Sequence, residues 1–386
     1  MRSQYNNLVS IRRSMKLKIK GFLFIAFIIF TGCNKDNNQE PEENCTTKDF
    51  FAEYQTRNFS MGFSTWIYAP TQQAKDDTYQ FISENSDIYS EHIDNNIPWN
   101  AWMNNTMLPS EFTDEIESRV LNRIASNQLL LAISLLNLSR DDLAEDFDGT
   151  IPNYTAMNDQ EIEDAYFKHV QYLVNALEPD YLVIAIEVNE LKIHSESKWN
   201  EYKLLIKEVK TRIKLEWPDL KISESITLHN LYQPDVPNPD EYIDELVNYA
   251  NEMEFVGISY YPFFKGQHTR SEFQQAFDFL HSKINRPLAF VETSHLAENL
   301  SVPSFNLFIE GDPCEQNAYL EILLTNAQEQ DYEFVIWWAH RDFDELWETF
   351  PEELKDLGKI WRDTGLLDEN GNERHGYSTW KNVFLK

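Results

Sequence analysis

From about residue 59 to residue 361 the chain alternates between two kinds of hydrophobic pattern. Short apolar runs, the mark of buried strands, occupy 59–66, 87–92, 129–136, 181–190, 221–229, 255–261, 287–293 and 334–338. Between most of them apolar residues recur at three- and four-residue spacing, which predicts helices. The segment 111–125 puts Ile116, Val120, Leu121 and Ile124 on one face. Asn158 followed by Glu161 has the form of a capping box. It opens a helix whose face carries Ile162, Ala165, Tyr166, Val170, Leu173, Val174 and Leu177. Helices over 198–216, 240–251, 271–284, 314–329 and 351–361 complete the series. Eight strands alternating with helices imply parallel strands joined by crossovers. Eight such units in 386 residues predict an α/β fold, the (β/α)8 TIM barrel. An open doubly wound sheet would carry a glycine-rich first turn, which this sequence lacks.

The barrel does not account for the N-terminus. Residues 1–32 hold Arg2, Arg12, Arg13, Lys16, Lys18 and Lys20, no acid, and an apolar block at 21–30 ending in Thr31 and Gly32. That is a secretory signal, with Met15 an alternative start. About 10 apolar residues are too few to span a bilayer, which takes roughly 20. Small residues before Cys33 resemble a bacterial lipoprotein cleavage box, which implies a lipid on Cys33 and a membrane anchor there. Residues 33–47 have almost no apolar content and are read as a flexible tether. Their acidic residues resemble the surface-export signal of Bacteroidetes lipoproteins, implying display on the outer membrane. The expected organisation is signal 1–32, tether 33–47 and one barrel domain over 48–386.

Charge narrows the partners. The chain carries a net −31; without residues 1–32 and their 6 basic side chains, 27 basic and 64 acidic remain, a net −37. Nucleic acid and anionic lipid surfaces are poor partners for such a charge, because phosphate binding relies on clustered Lys and Arg. A neutral substrate fits. Aromatic residues make up 14% of the chain, with 10 Trp and 18 Tyr, and aromatic faces stack on the C–H faces of sugars, so carbohydrate is favoured. No Cys/His cluster has zinc spacing and no phosphate-binding glycine loop occurs, so no metal or cofactor is expected. Cys45 and Cys314 could pair or stay free; the sequence leaves both open. A monomer is expected.

Two strand ends carry the candidate chemistry. The run 181–188 stops abruptly at Asn189 and Glu190, and the run 288–291 stops at Glu292 and Thr293, 102 residues later. At about 34 residues per unit, these are strands four and seven of a barrel, and both carboxylates reach the C-terminal face, where barrel active sites lie. Two facing carboxylates can break a glycosidic bond, one giving a proton and the other attacking the anomeric carbon, at roughly 5 Å separation. Asn189 is placed to bond the sugar 2-hydroxyl. Tyr260 or Tyr261 could support the attacking carboxylate, and Trp337 or Trp338 could form a platform beneath the ring.

These strand ends resemble glycoside hydrolase clan A. Within it, 256–266 (Val-Gly-Ile-Ser-Tyr-Tyr-Pro-Phe-Phe-Lys-Gly), 290–293, Leu228-His229 and the tail 361–371 resemble family 53, the arabinogalactan endo-β-1,4-galactanases. The resemblance covers roughly 180–385. It implies Glu190 as acid/base, Glu292 as nucleophile and His229 in the sugar site of a retaining β-glycosidase. The first half departs from the family. Its Arg-bearing second strand is replaced by Glu91-His-Ile-Asp94, and its run after strand three by 135–140. His92, Asp94, Trp99 and Trp102 are candidates for a different pocket. The alternative is a glycan-binding lipoprotein that keeps the barrel without full catalysis.

Overall fold

The computed structural model describes residues 45, 51–94 and 96–386. The signal, most of the tether and Cys33 lie outside the described residues. The strands are β1 (Ser60–Ser64), β2 (Ile88–Ile93), β3 (Gln128–Ile133), β4 (Tyr181–Val183), β5 (Lys221–Ser223), β6 (Ser225–Thr227), β7 (Val256–Tyr260), β8 (Leu288–Thr293), β9 (Leu300–Val302), β10 (Leu307–Ile309) and β11 (Phe334–Trp337). Nine of them form one parallel sheet in the order β5-β4-β3-β2-β1-β11-β8-β7-β6. β5 and β6 are one strand broken at Glu224. The first piece pairs with β4 and the second with β7, so the sheet closes into the (β/α)8 barrel. Glu224 turns outward at the break and meets Tyr202, Tyr249 and Lys210. β9 and β10 form a small hairpin outside the barrel.

Strand alternation sorts side chains between two cores. Leu129, Leu131 and Ile133 face the helices, while Leu130 and Ala132 join Ile88, Val183, Val291 and Ile336 inside the barrel. The same alternation separates neighbours in the aromatic pairs. Tyr260 and Trp337 belong to the helix-facing core. Tyr261 and Trp338 follow them in sequence and point to the mouth.

The helices begin where local chemistry can satisfy their free N–H groups. Thr269 and Glu272 form a reciprocal capping box at helix Arg270–Lys283. Asp312 accepts from the N–H groups of Cys314 and Glu315 at helix Pro313–Glu329. The cap expected at Asn158 is not formed. Asp159 holds the N-cap position of helix Gln160–Leu177, and its carboxylate accepts instead from Thr155 N–H at 2.6 Å. The buried face of that helix is otherwise the expected one.

Two elements run against the expected pattern. Regular strand β4 stops at Val183, and Asn189 and Glu190 open a short helix, Asn189–His194, rather than ending a strand. The chain also ends in an unanticipated helix, His375–Phe384, packed on Pro313–Glu329. Its Trp380 is fully buried against Phe63, with ring centroids 4.4 Å apart, and Nε1 donates to Asn85 O at 2.9 Å. Cys45 and Cys314 form a disulfide with Cα atoms 5.4 Å apart.

Gly62 shows how close the barrel strands approach. A Cβ there would lie 1.8 Å from the Ile88 carbonyl oxygen, which belongs to a paired strand and cannot move aside cheaply. Gly62→Ala should therefore cost about 2–3 kcal/mol, measured as a lower urea midpoint with an unchanged m-value.

Candidate active site

Glu292 reaches the barrel mouth through a bulge. Leu288 and Phe290 face the helices and Val291 faces the interior, so strict alternation would send Glu292 outward. The register against β7 slips between Ile258 and Ser259, so that Ile258 opposes Phe290 while Ser259 opposes Glu292. The slip turns the carboxylate inward. Glu292 Oε1 then accepts from Tyr261 OH at 3.0 Å and sits 2.9 Å from Ser259 Oγ. His92 Nδ1, from β2, lies 3.4 Å from Oε2. Burial, and then the charge of Glu187, push the Glu292 carboxyl up to about 8. Burial lowers His92 to about 4, so its ring is neutral beside Glu292.

The carboxylate facing Glu292 is Glu187, not Glu190. Past β4 the chain stays hydrogen-bonded to the broken strand, with Glu187 N–H donating to Ser225 Oγ at 2.8 Å. Glu187 itself has φ 56, in the left-handed region that costs a residue with a Cβ. That conformation coincides with a side chain whose Oε1 lies 2.7 Å from Ser259 Oγ. One serine hydroxyl thus bridges both carboxyl groups. The two Oε1 atoms can be no further apart than two hydrogen bonds laid end to end. That is shorter than the roughly 6.5–9.5 Å needed to hold an attacking water between them.

Arg140 holds the other side of Glu187. Its Nε and Nη2 donate to Oε2 at 3.2 and 3.1 Å. Its Nη1 and Nη2 also grip Asp94 at 2.9 and 2.6 Å, a bidentate pairing. Burial alone would raise Asp94, but Arg140 outweighs it and the carboxyl is held below its usual range. Arg140 too has a left-handed backbone, φ 54.

The remaining expected site residues fall into two groups. Glu190 is engaged by Thr227 Oγ1 and by Asn230 Nδ2 at 2.8 Å, and its carboxyl is raised, chiefly by burial. Among the described residues no hydrogen bond joins it to Glu292; it braces the turn between β4 and β6. Asn189 is spent the same way. Its Nδ2 donates to Thr227 Oγ1 at 2.8 Å and to Tyr242 OH at 3.2 Å, and its Oδ1 accepts from Thr227 N–H at 2.8 Å. Both Nδ2 hydrogens are spent, so the amide has no donor left for a 2-hydroxyl. Tyr260 OH donates to Gln267 and its ring packs on Phe277 and Tyr319. Trp337 donates to Thr364 O at 3.0 Å within the core. Trp99 donates to Ala144 O at 2.7 Å and packs on Tyr166, while Trp102 packs on Phe112 and Tyr172. Alternation turns Tyr260 and Trp337 away from the mouth, and Trp99 is held by its bond to Ala144.

Trp338 does face the mouth. It lies edge-on to His92 at 5.0 Å and beside Trp66 at 5.4 Å, and both indole N–H groups are buried with no hydrogen-bond partner among the described residues. On the opposite side, Tyr261 leads to Phe264 and Trp361, each about 6 Å away, and Phe264 to His229 at 5.3 Å. Burial lowers His229 to about 3, and its Nδ1 has no hydrogen-bond partner among the described residues. Aromatic walls therefore flank the carboxyl pair on two sides.

Sequence reading missed Glu187, Arg140 and Ser259. The signal for Glu187 was a lone charge inside the apolar run 181–188. Arg140 and Ser259 carry no comparable mark.

Residues 156–307 match the model of glycosyl hydrolase family 53, and that segment contains Glu187, Ser259 and Glu292. No curated protein matches the chain by sequence. Among solved structures, the family 53 catalytic domain from Ignisphaera aggregans is similar at 13% identity over 86% of this chain and 93% of its own, with TM-score 0.54. A family 5 subfamily 18 protein from Bifidobacterium longum, in complex with Manβ1-4GlcNAc, is similar at 14% identity over 85% and 78%, with TM-score 0.60. Fungal β-1,4-galactanases are similar at 12% identity over 79% and 90%, with TM-score 0.52. The chain shares the barrel fold of these glycoside hydrolases, and its match to glycosyl hydrolase family 53 lies in the segment that supplies both carboxylates.

Proposed function

We propose that the protein is a retaining β-glycosidase, exported and tethered through Cys33, that hydrolyses a β-linked polysaccharide with Glu292 as nucleophile and Glu187 as acid/base. The observation that carries this is the bridging of the two carboxyl groups by Ser259, which sets them at the spacing of a double displacement. Glu292 attacks the anomeric carbon while Glu187 protonates the departing oxygen. A glycosyl ester forms on Glu292, and Glu187 then takes a proton from the water that cleaves it. Tyr261 holds the nucleophile by hydrogen bonding, and Trp338 and Trp66 offer ring faces and indole N–H groups to the sugar. Family 53 likeness makes β-1,4-galactan the first substrate to test.

Glu187→Gln should lower kcat/KM on the polysaccharide by about 10²–10⁴, and Glu292→Gln should lower it at least as far. Glu190→Gln should cost much less. A Glu187→Gln variant with wild-type rate, or products of inverted configuration by proton NMR, would overturn the assignment. Cys33→Ala should move the protein from the membrane fraction to the soluble one.

The raised Glu292 carboxyl also predicts a pH dependence of stability. Folded, it keeps its proton to about pH 8; unfolded, it releases it near its ordinary 4.5. Its stabilising contribution is complete below 4.5 and is lost as pH rises through 8. Glu292→Gln has no such loss. Its Tm relative to wild type should rise between about pH 5 and pH 9, by about 3 °C or more.

A further inference from the structure

Ser259 presents a counting problem in hydrogen atoms. Its Oγ lies 2.7 Å from Glu187 Oε1 and 2.9 Å from Glu292 Oε1, and the residue is fully buried. A serine hydroxyl has one hydrogen to give and lone pairs to accept with. Two ionised carboxylates would leave one of these contacts with no hydrogen between two oxygens. Both contacts are hydrogen bonds only when one carboxyl is protonated: it donates to Oγ, and Oγ donates to the other. The geometry therefore suits a pair that holds one proton.

The surroundings say on which side the proton rests. The guanidinium of Arg140 donates twice to Glu187, favouring negative charge there. Glu292 accepts from the neutral Tyr261 hydroxyl and lies 3.4 Å from the neutral His92 ring, in a buried position. Asp94 is occupied by Arg140. The resting proton belongs on Glu292. The reaction needs the opposite arrangement, an ionised Glu292 and a protonated Glu187.

We propose that Ser259 is a proton relay that interconverts these two states. The O–H bond at Glu292 Oε1 breaks and its proton passes to Ser259 Oγ. The hydroxyl's own proton passes to Glu187 Oε1, and a hydroxyl is restored. One proton is transferred in net, one negative charge moves from Glu187 to Glu292, and no heavy atom leaves its place. After the glycosyl ester is hydrolysed, the same path returns the proton to Glu292. The β8 bulge makes the relay possible, because it sets Ser259 directly opposite Glu292 across the β7–β8 ladder. Ser259 acts here as a positioning residue for the proton, and the inference rests on Glu187 and Glu292 being the reacting pair.

Two measurements on the full mature chain test the relay. In the first, Ser259→Ala and Ser259→Thr are compared with wild type on β-1,4-galactan and on 2,4-dinitrophenyl β-galactoside, whose leaving group departs without a proton. The relay predicts that Ser259→Ala loses at least about tenfold more kcat/KM on galactan than on the dinitrophenyl glycoside, and that Ser259→Thr, which keeps the hydroxyl, restores most of the difference. Equal losses on both substrates would mean a structural role and overturn the relay. The second measurement needs no substrate. The carboxyl carbons of ¹³C-glutamate-labelled protein, assigned through Glu187→Gln and Glu292→Gln, are titrated by NMR. Glu187 and Glu292 should shift together in wild type and Ser259→Thr, and in separate steps in Ser259→Ala. An Ala variant that titrates as wild type does would overturn the relay. If wild type cleaves neither probe, the functional assignment fails on those substrates while the titration still decides the shared proton.

Discussion

The bulge in β8 is the constraint on which the site depends. A barrel strand offers its side chains alternately to the interior and to the helices, and Glu292 falls on the wrong beat. One extra residue in the ladder shifts the phase. Everything that meets Glu292 at the mouth, from Ser259 on β7 and Tyr261 just past it to His92 on β2, does so because of that shift. The cost is a local break in strand pairing. The sheet bears it because the strand stays paired on both sides, with β7 and β11.

The first half of the barrel supplies electrostatics by an unusual route. β2 carries no Arg, and Arg140, from the loop after β3, occupies a central place instead. It lies between Asp94 and Glu187 and neutralises part of the charge gathered at the mouth. Both partners of the Arg140–Glu187 pair have left-handed backbones. Backbone strain of order 1–3 kcal/mol per residue persists only where the surroundings over-determine it. Here the Ser225, Ser259 and Asp94 contacts provide that restraint.

The architecture was legible because it rests on periodicity. Eight apolar runs and the helical faces between them survive any local error, and the helix at 160–177 buries the residues its spacing indicated. Phase was harder to read. Tyr260 and Tyr261, or Trp337 and Trp338, cannot be told apart by composition; only the register shows which of each pair turns inward. At the end of β4, Asn189-Glu190 drew attention because it closes the apolar run, yet the strand had stopped at Val183 and a left-handed turn had already aimed Glu187. A positive φ at a glutamate leaves no trace in hydrophobic spacing. The terminal helix escaped notice because its ten residues form too short a pattern, and Trp380 owes its burial to Phe63, which lies 317 positions earlier in the chain.

The Cys45–Cys314 link has a mechanical meaning. A chain held by its N-terminus and pulled outward would, without the link, pass the tension straight into β1, at the centre of the sheet. With it, the load leaves the backbone at Cys45 and enters the long helix Pro313–Glu329 at its first turn. That helix lies outside the barrel and is packed against the C-terminal helix. The disulfide would act as a strain relief, in the sense in which a cable is clamped before it reaches its terminal: force from the N-terminal side would enter at a helix on the flank before it reached β1.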